Sequence, residues 1–455
     1  MRKVVHQQPA LFPVYIEHSR ADELRVISEV LDDAPGIYRF VQLDLCDGTD
    51  PEDGRKGMSA EQVLRCAIAQ KLEQWTFEEL AFHLADSQSF KAFCRIGIFD
   101  DVPKKSTLHE NISKISARTW RIINRMLVGE AAKDGVEKGR KVRFDCTVTE
   151  TDIHHPTDST LCVDLIRVAC RTLKRMRDQD GFAVIFRDHQ LRSRRRALSI
   201  LNRRKKSLKR ADYEDLLKVM RKTRGYLEDA QNLLMLEADI NTPFTPIWQD
   251  IDTLGTLIRQ ADAIIDQTYR RIILEEKVPA DEKIYSIFEE HTDIIIKGRR
   301  EVEFGHKLCL AVGATSLVLD VTIEEGNPAD STLAQKMVER QIRLFRRPPR
   351  QVAFDGGFTS RENVEALREM GVDDVAFHKK RGLKISEMVK SSWVYKRLRR
   401  FRAGIEGIIS WLKRCFGLTR CNWRGLGGFK RYVWSSVVAA NVLTLARHRI
   451  AARSG

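Results

Sequence analysis

A chain of 455 residues has room for two or three domains, and 43% hydrophobic with 31% charged residues describes a globular protein rather than a disordered or fibrous one. Lysine and arginine (78) outnumber aspartate and glutamate (63), and the net charge of +15 points to a polyanionic partner such as nucleic acid. No apolar run reaches the roughly 18 residues of a membrane span, and nine scattered cysteines without a C-x-x-C pair fit neither a zinc finger nor a disulfide framework.

Residues 1–58 mix apolar and polar residues with turn formers and end in a Gly/Asp/Pro-rich stretch from Asp47 to Gly57. The pattern then turns helical. Ser59-x-x-Gln62, Thr76-x-x-Glu79 and Thr107-x-x-Glu110 have the form of capping boxes, separated by apolar stripes such as Val63, Ala67, Ile68 and Leu72. A compact helical domain ending near 140 is expected, either a helix-turn-helix-like reader of DNA ends or a plain bundle.

At 141 the period changes. Val142, Phe144, Cys146 and Val148 alternate with Arg143, Asp145, Thr147 and Thr149, which predicts a half-buried strand with Asp145 on its polar face. A long helical region to about 277 follows. Within it, residues 187–210 hold eleven Lys/Arg against a single acid, Asp188. Cations this dense repel one another unless a polyanion is present, so Arg194, Arg195, Arg196, Arg203, Arg204, Lys205 and Lys206 are read as an arm contacting phosphates.

Strands resume after 283. Phe304–Val312 and Leu317–Ile323 flank Gly313-Ala314-Thr315-Ser316, which predicts a hairpin. Asp330 precedes an amphipathic helix and reads as its N-cap. Gln351–Phe354 is a short buried strand leading into Asp355, and Gly356-Gly357 lets the chain turn sharply so that this carboxylate stands open at the strand edge. Thr359-x-x-Glu362 reads as the cap of a further helix. Along Arg402–Lys413 one helical face carries Arg402, Glu406 and Lys413, while Ile405, Ile408, Ile409, Leu412 and Phe416 form the other. Gly404 and Gly407 flank the acid at a cost of roughly 1 kcal/mol each relative to alanine. Close approach of another backbone or of DNA would explain them.

These blocks carry a family resemblance. Phe354-Asp355-Gly356-Gly357-Phe358, then Thr359-Ser360-Arg361-Glu362-Asn363, then Arg402-x-x-x-Glu406-x-x-x-x-x-x-Lys413 resemble the transposase DDE domain of bacterial insertion sequences. Val142–Asp152 and His155–Ser159 are similar to that family's first-aspartate block. Glu303–Lys307 and Gly326–Asp330 resemble the blocks between, and 59–115 is similar to the helical N-terminal domain of the same elements. One departure is Arg399, where the family often has tyrosine three residues before the arginine.

The resemblance implies an α/β fold: an RNase H-like mixed five-stranded sheet with a helical N-terminal domain and a helical insertion. It places DNA binding in 1–140 and catalysis in 141–455, interrupted by the basic helical insertion at about 160–280. It implies that Asp145, Asp355 and Glu406 hold two divalent ions, Mg²⁺ or Mn²⁺, and that Arg402 and Lys413 contact phosphates near the cut. Carboxylate oxygens suit such hard ions, and two of them can activate water and stabilise the leaving oxygen of a phosphodiester. Of the competing acids, Asp152 and Asp158 follow the strand and Asp320 lies within another, whereas Asp145 sits mid-strand. The expected partners are the element's terminal inverted repeats and target DNA, with a homodimer in the synaptic complex. The expected location is cytoplasmic and nucleoid-associated, with no membrane. A non-joining RNase H-like nuclease and a DNA-binding regulator are the alternatives.

Overall fold

The computed structural model describes residues 2–4, 15–48, 50, 57–97, 100–178, 181–238, 246–297 and 301–454. Most of the Gly/Asp/Pro-rich stretch after Asp47 lies outside them. The strands are β1 (Lys141–Thr151), β2 (Asp293–Lys297), β3 (Glu301–Val312), β4 (Val318–Ile323), β5 (Gln351–Phe354), β6 (Asp374–Phe377) and β7 (Arg420–Cys421). The chain divides into two compact units, one of 1–151 with 305–455 and one of 152–304.

Among the described residues the first unit begins with seven helices: α1 (Ser19–Asp32), α2 (Gly36–Cys46), α3 (Ala60–Glu73), α4 (Phe77–Asp86), α5 (Gln88–Phe93), α6 (Lys105–Lys114) and α7 (Ala117–Lys133). The boxes at Ser59 and Thr76 form with both reciprocal bonds. The third does not. α6 starts at Lys105 with Lys104 at its N-cap, so Thr107 lies inside the helix, where its hydroxyl has no end to cap. The helices α1 and α2 fall in the segment that turn formers had made look irregular. Their buried faces, Leu24, Ile27 and Leu31, then Ile37, Tyr38 and Val41, follow the helical period.

The core sheet of this unit has the order β4-β3-β1-β5-β6. β3 runs antiparallel to both β1 and β4, while β5 is parallel to β1 and β6 parallel to β5. This is the five-stranded mixed sheet of the RNase H-like class. The two-residue β7 adds a parallel pairing at Glu150 and Thr151 that no periodicity announced. The expected β3–β4 hairpin is present. Phe144 stacks on Phe354 across β1 and β5, with ring centroids 4.6 Å apart, and so fixes the two strands that carry Asp145 and Asp355.

Helices α12 (Ala334–Phe345) and α13 (Arg361–Glu369) pack in this unit, followed by the short α14 (Ile385–Met388), α15 (Ser392–Cys415) and α16 (Gly425–Ser454). Ser360, not Thr359, caps α13, accepting from the Asn363 N–H at 3.1 Å. The Thr359 hydroxyl donates instead to the Lys379 carbonyl. The middle of α16, from Tyr432 to Ala446, is buried nearly all round, and the helix packs against α1, α3, α7 and β4. Its buried Asn441 is satisfied by both backbone groups of Val318 and by Asn124. No helix among the described residues is long and apolar enough to cross a membrane.

Lys71 on α3 lies buried, its ammonium 3.2 Å from the ring centre of Tyr432 and 4.7 Å from that of Trp423. Burial pulls its pKa down to about 7, although the ring faces favour the charged form. An unfolded lysine keeps its proton to about pH 10.4. Between these values the unfolded chain binds more protons than the folded one, so stability rises with pH. Lys71→Met should therefore unfold at higher temperature than the parent at pH 7, by about 2 kcal/mol, with the gap closing toward pH 10. A gap independent of pH would overturn this reading.

The second unit holds α8 (Asp158–Asp178), α9 (Gln190–Asn202), α10 (Lys206–Glu237) and α11 (Pro246–Thr268), the last ending in a π-turn at Tyr269–Ile273. Two apolar clusters join its helices, one around Leu165, Leu216 and Ile264, the other around Leu173, Leu227 and Leu254. This is the helical insertion.

Candidate functional site

Asp145 lies mid-strand on β1, and its Oδ1 accepts the Cys146 backbone N–H at 2.8 Å. Asp355 stands just beyond β5, where the 3-10 turn Gly356–Phe358 carries the chain away. Glu406 projects from α15. Its helix is held to the sheet by Arg143 of β1, whose guanidinium donates to the Phe401 carbonyl at 2.9 Å and to Ser316 at 3.1 Å.

The three carboxylates meet at one guanidinium. Arg402 Nη2 lies 2.8 Å from Asp145 Oδ2 and 3.0 Å from Asp355 Oδ1, and Nη1 lies 2.7 Å from Glu406 Oε1. Arg402 is buried, with 8% of its side chain exposed against 66% for Glu406. An acid early in the chain is thereby brought to one positive centre with two from its last third. Burial pushes the Asp145 carboxyl up to about 6; the Arg402 charge opposes this and the Asp355 carboxylate adds to it.

Asp145, Cys146, Glu406, Ile409, Lys413 and Thr419 line an open cavity of about 480 Å³. Ile409 thus borders Glu406 at the cavity instead of lying wholly on the apolar face, while Ile405, Leu412 and Phe416 are buried as expected. Arg399 lies over the Tyr395 ring, 5.9 Å from its centre.

The two glycines of α15 differ. A Cβ at Gly404 would collide with the Arg143 guanidinium, so a side chain, neither backbone nor DNA, accounts for this position. Gly407 has open space around its Cβ position.

Asp330 does not cap a helix. Ala329 and Leu333 occupy the N-cap positions of the 3-10 turn and of α12. The Asp330 carboxylate instead pairs with Lys307 Nζ at 2.5 Å, and a Cβ on Gly357 would strike its Oδ2. A fourth acid thus packs against the turn that follows Asp355. Sequence reasoning set it aside; the block Gly326–Asp330 was the signal that could have kept it.

Two of the rival acids are engaged elsewhere. Asp320 pairs with Arg340 through two bonds of 2.6 and 2.8 Å, and Asp158 with Arg271 at 2.8 Å. Asp152 is exposed and belongs to the second unit.

In the second unit the basic segment sorts into two groups. Arg192 and Arg196 pair with Asp215 at 2.5 and 2.6 Å, and Arg203 with Asp212 at 2.5 Å, tying α9 to α10. Lys206 lies a loose 3.5 Å from Glu275. Arg194, Arg195, Arg204 and Lys205 are exposed and make no ion pair among the described residues.

The donor set at Arg402 is chemically that of a hard cation site, since three carboxylates from three elements face one positive group. Among the described residues no three His, Cys, Asp or Glu side chains stand close enough to hold one ion directly. In the cluster, the three acids each meet the Arg402 guanidinium.

Two family models match the chain. One, the transposase DDE domain, matches residues 249–442, and the other, a transposase domain (DUF772), matches 14–114. The first contains Asp355, Arg402, Glu406 and Lys413; Asp145 lies in neither span. No curated protein and no solved structure gives a match. With an RNase H-like sheet, and two transposase domains whose spans cover more than half of its length, the chain belongs to the DDE transposases of insertion sequences.

Proposed function

We propose that this transposase cleaves the ends of its insertion sequence and joins them to target DNA by phosphoryl transfer at Asp145, Asp355 and Glu406. The observation that carries this is the convergence of the three carboxylates on a single positive centre beside an open cavity. Two divalent ions, Mg²⁺ or Mn²⁺, held by these acids would activate the attacking hydroxyl and neutralise the leaving oxygen. The chain supplies the rest. β1 and β5 hold two acids rigidly, α15 brings the third, and Lys413 lines the same cavity as a cation for phosphate oxygens.

The helical residues 1–140 then serve end recognition, and the exposed Arg194, Arg195, Arg204 and Lys205 contact phosphates. Arg196 and Arg203 hold the insertion together. Two copies acting in a synaptic complex follow from the need to handle two ends. The test is a DNA duplex carrying the repeat that flanks the gene, incubated with the protein and Mg²⁺. Cleavage exposing a 3′-hydroxyl, then joining of a pre-cut end to a second duplex, is expected. Cleavage without joining would favour a nuclease, and full cleavage by Asp145→Asn would overturn the site.

Gly407 offers a finer check. Alanine there should raise helix stability by about 1 kcal/mol, since nothing obstructs the added methyl. If DNA passes close to this face, the same change weakens cleavage. A more stable protein with undiminished cleavage would show that DNA keeps its distance.

A further inference from the structure

We infer that Arg402 is the resident counter-ion of the acid cluster: it holds the three carboxylates until divalent cations take them, and its released guanidinium then binds a phosphate of the DNA. This inference rests on the function proposed above and assigns a positioning role within it.

Three observations support it. The oxygens that Arg402 engages, Asp145 Oδ2, Asp355 Oδ1 and Glu406 Oε1, belong to the same acids that would ligate the cations. A guanidinium bonded to these oxygens at 2.7–3.0 Å takes up part of their lone pairs and repels a divalent cation brought among them, so the two compete. Next, the arrangement differs from that of a structural arginine in the same unit. Arg65 is fully buried with Nε on Glu61, Nη1 on Ser28 and the Phe93 carbonyl, and Nη2 on Asp32. Arg402 leaves its buried Nε without a partner among the described residues. Its bonds are all to acids: Asp145 and Glu406 line the cavity, and Asp355 and Glu406 are more than a third exposed. Finally, one positive charge faces three negative ones, so the cluster retains a net attraction for further cations.

Phosphate completes the exchange. Arginine pairs with phosphate through two parallel bonds, so DNA in the cavity offers Arg402 a replacement for the carboxylates. Each event then favours the other. DNA should raise the affinity for the metal, and the metal should raise affinity for DNA by the same factor.

The experiment measures Mn²⁺ binding to the full-length protein by calorimetry, with and without a short duplex. In the parent, DNA should tighten Mn²⁺ binding by about tenfold. Arg402→Gln should bind Mn²⁺ about tenfold more tightly than the parent without DNA, and gain little when DNA is added. Arg402→Lys keeps a charge but cannot span three acids. It should shift in the same direction by less, and it keeps the test open if the glutamine variant does not fold. Asp355→Asn separates the two ideas. If it binds Mn²⁺ as the parent does, the site itself is misassigned. If Asp355→Asn loses Mn²⁺ but neither Arg402 variant gains affinity, the acids hold metal and the counter-ion role alone is refuted.

Discussion

Asp355→Asn is expected to lower end cleavage by at least about 10³-fold, equivalent to about 4 kcal/mol of transition-state stabilisation, while leaving the fold intact. Asparagine matches the shape of aspartate, and Asp355 is 37% exposed with Arg402 as its ion-pair partner. Thermal unfolding should therefore move by less than about 1 kcal/mol. Asp320→Asn is the matched control with the opposite profile. Asp320 is buried in a two-bond pair with Arg340 and also accepts the Val321 backbone N–H. Removing its charge strands a largely buried guanidinium, at a cost of about 3 kcal/mol in stability, with no specific catalytic defect in the fraction that stays folded. Gel assays of cleavage beside thermal unfolding decide the matter. An Asp355→Asn protein cutting within about tenfold of the parent would remove this residue from the chemistry.

The second large effect is on DNA affinity. Replacing Arg194, Arg195, Arg204 and Lys205 together by alanine should reduce the slope of log affinity against log salt by about 3–4, near 0.9 for each phosphate that is no longer neutralised. At moderate salt this corresponds to roughly a hundredfold weaker binding. Arg196→Ala with Arg203→Ala should leave the slope unchanged. Those two guanidinium groups are committed to Asp215 and Asp212, and their removal loosens α9 from α10. Fluorescence anisotropy over a salt series, with unfolding curves for both variants, tells the groups apart. An unchanged slope in the fourfold variant would mean that this arm does not meet DNA.

The pairing inside the basic segment shows what a sequence conceals. Eleven cations with one acid across 187–210 look uncompensated, because Asp212 and Asp215 stand just beyond them and return on α10. Local charge counting is blind to partners supplied by the next helix. The strands were legible for the opposite reason. The strand β1 and the glycine-flanked hairpin are local signals and appear where expected. Yet β1 is not half-buried: Arg143, Thr147 and Thr149 are buried along with Val142, Phe144 and Val148, because packing covers both faces of a central strand. Caps were legible only where the hydroxyl truly begins a helix. Thr107 and Thr359 satisfy the spacing rule, yet the helices enter at Lys105 and Arg361, so neither hydroxyl caps an end. The positions of Asp145, Asp355 and Glu406 along their elements could be read locally, but their meeting at Arg402 depends on tertiary packing. The spacing of Arg402 to Glu406 reveals one of its three acidic partners; Asp145 and Asp355 reach it only through the fold.

The helix α16 has a consequence for how the chain comes to be. It fills the core beneath α1, α3 and α7, and its Arg447 pairs with Glu23 across a separation of 424 residues. The amino-terminal helices therefore wait for a segment about 400 residues later in the chain before their apolar faces are covered. Packing between such distant segments slows folding and leaves nascent chains exposed to chaperones and proteases. A product cut short before residue 425 lacks this helix altogether. It should be degraded instead of accumulating.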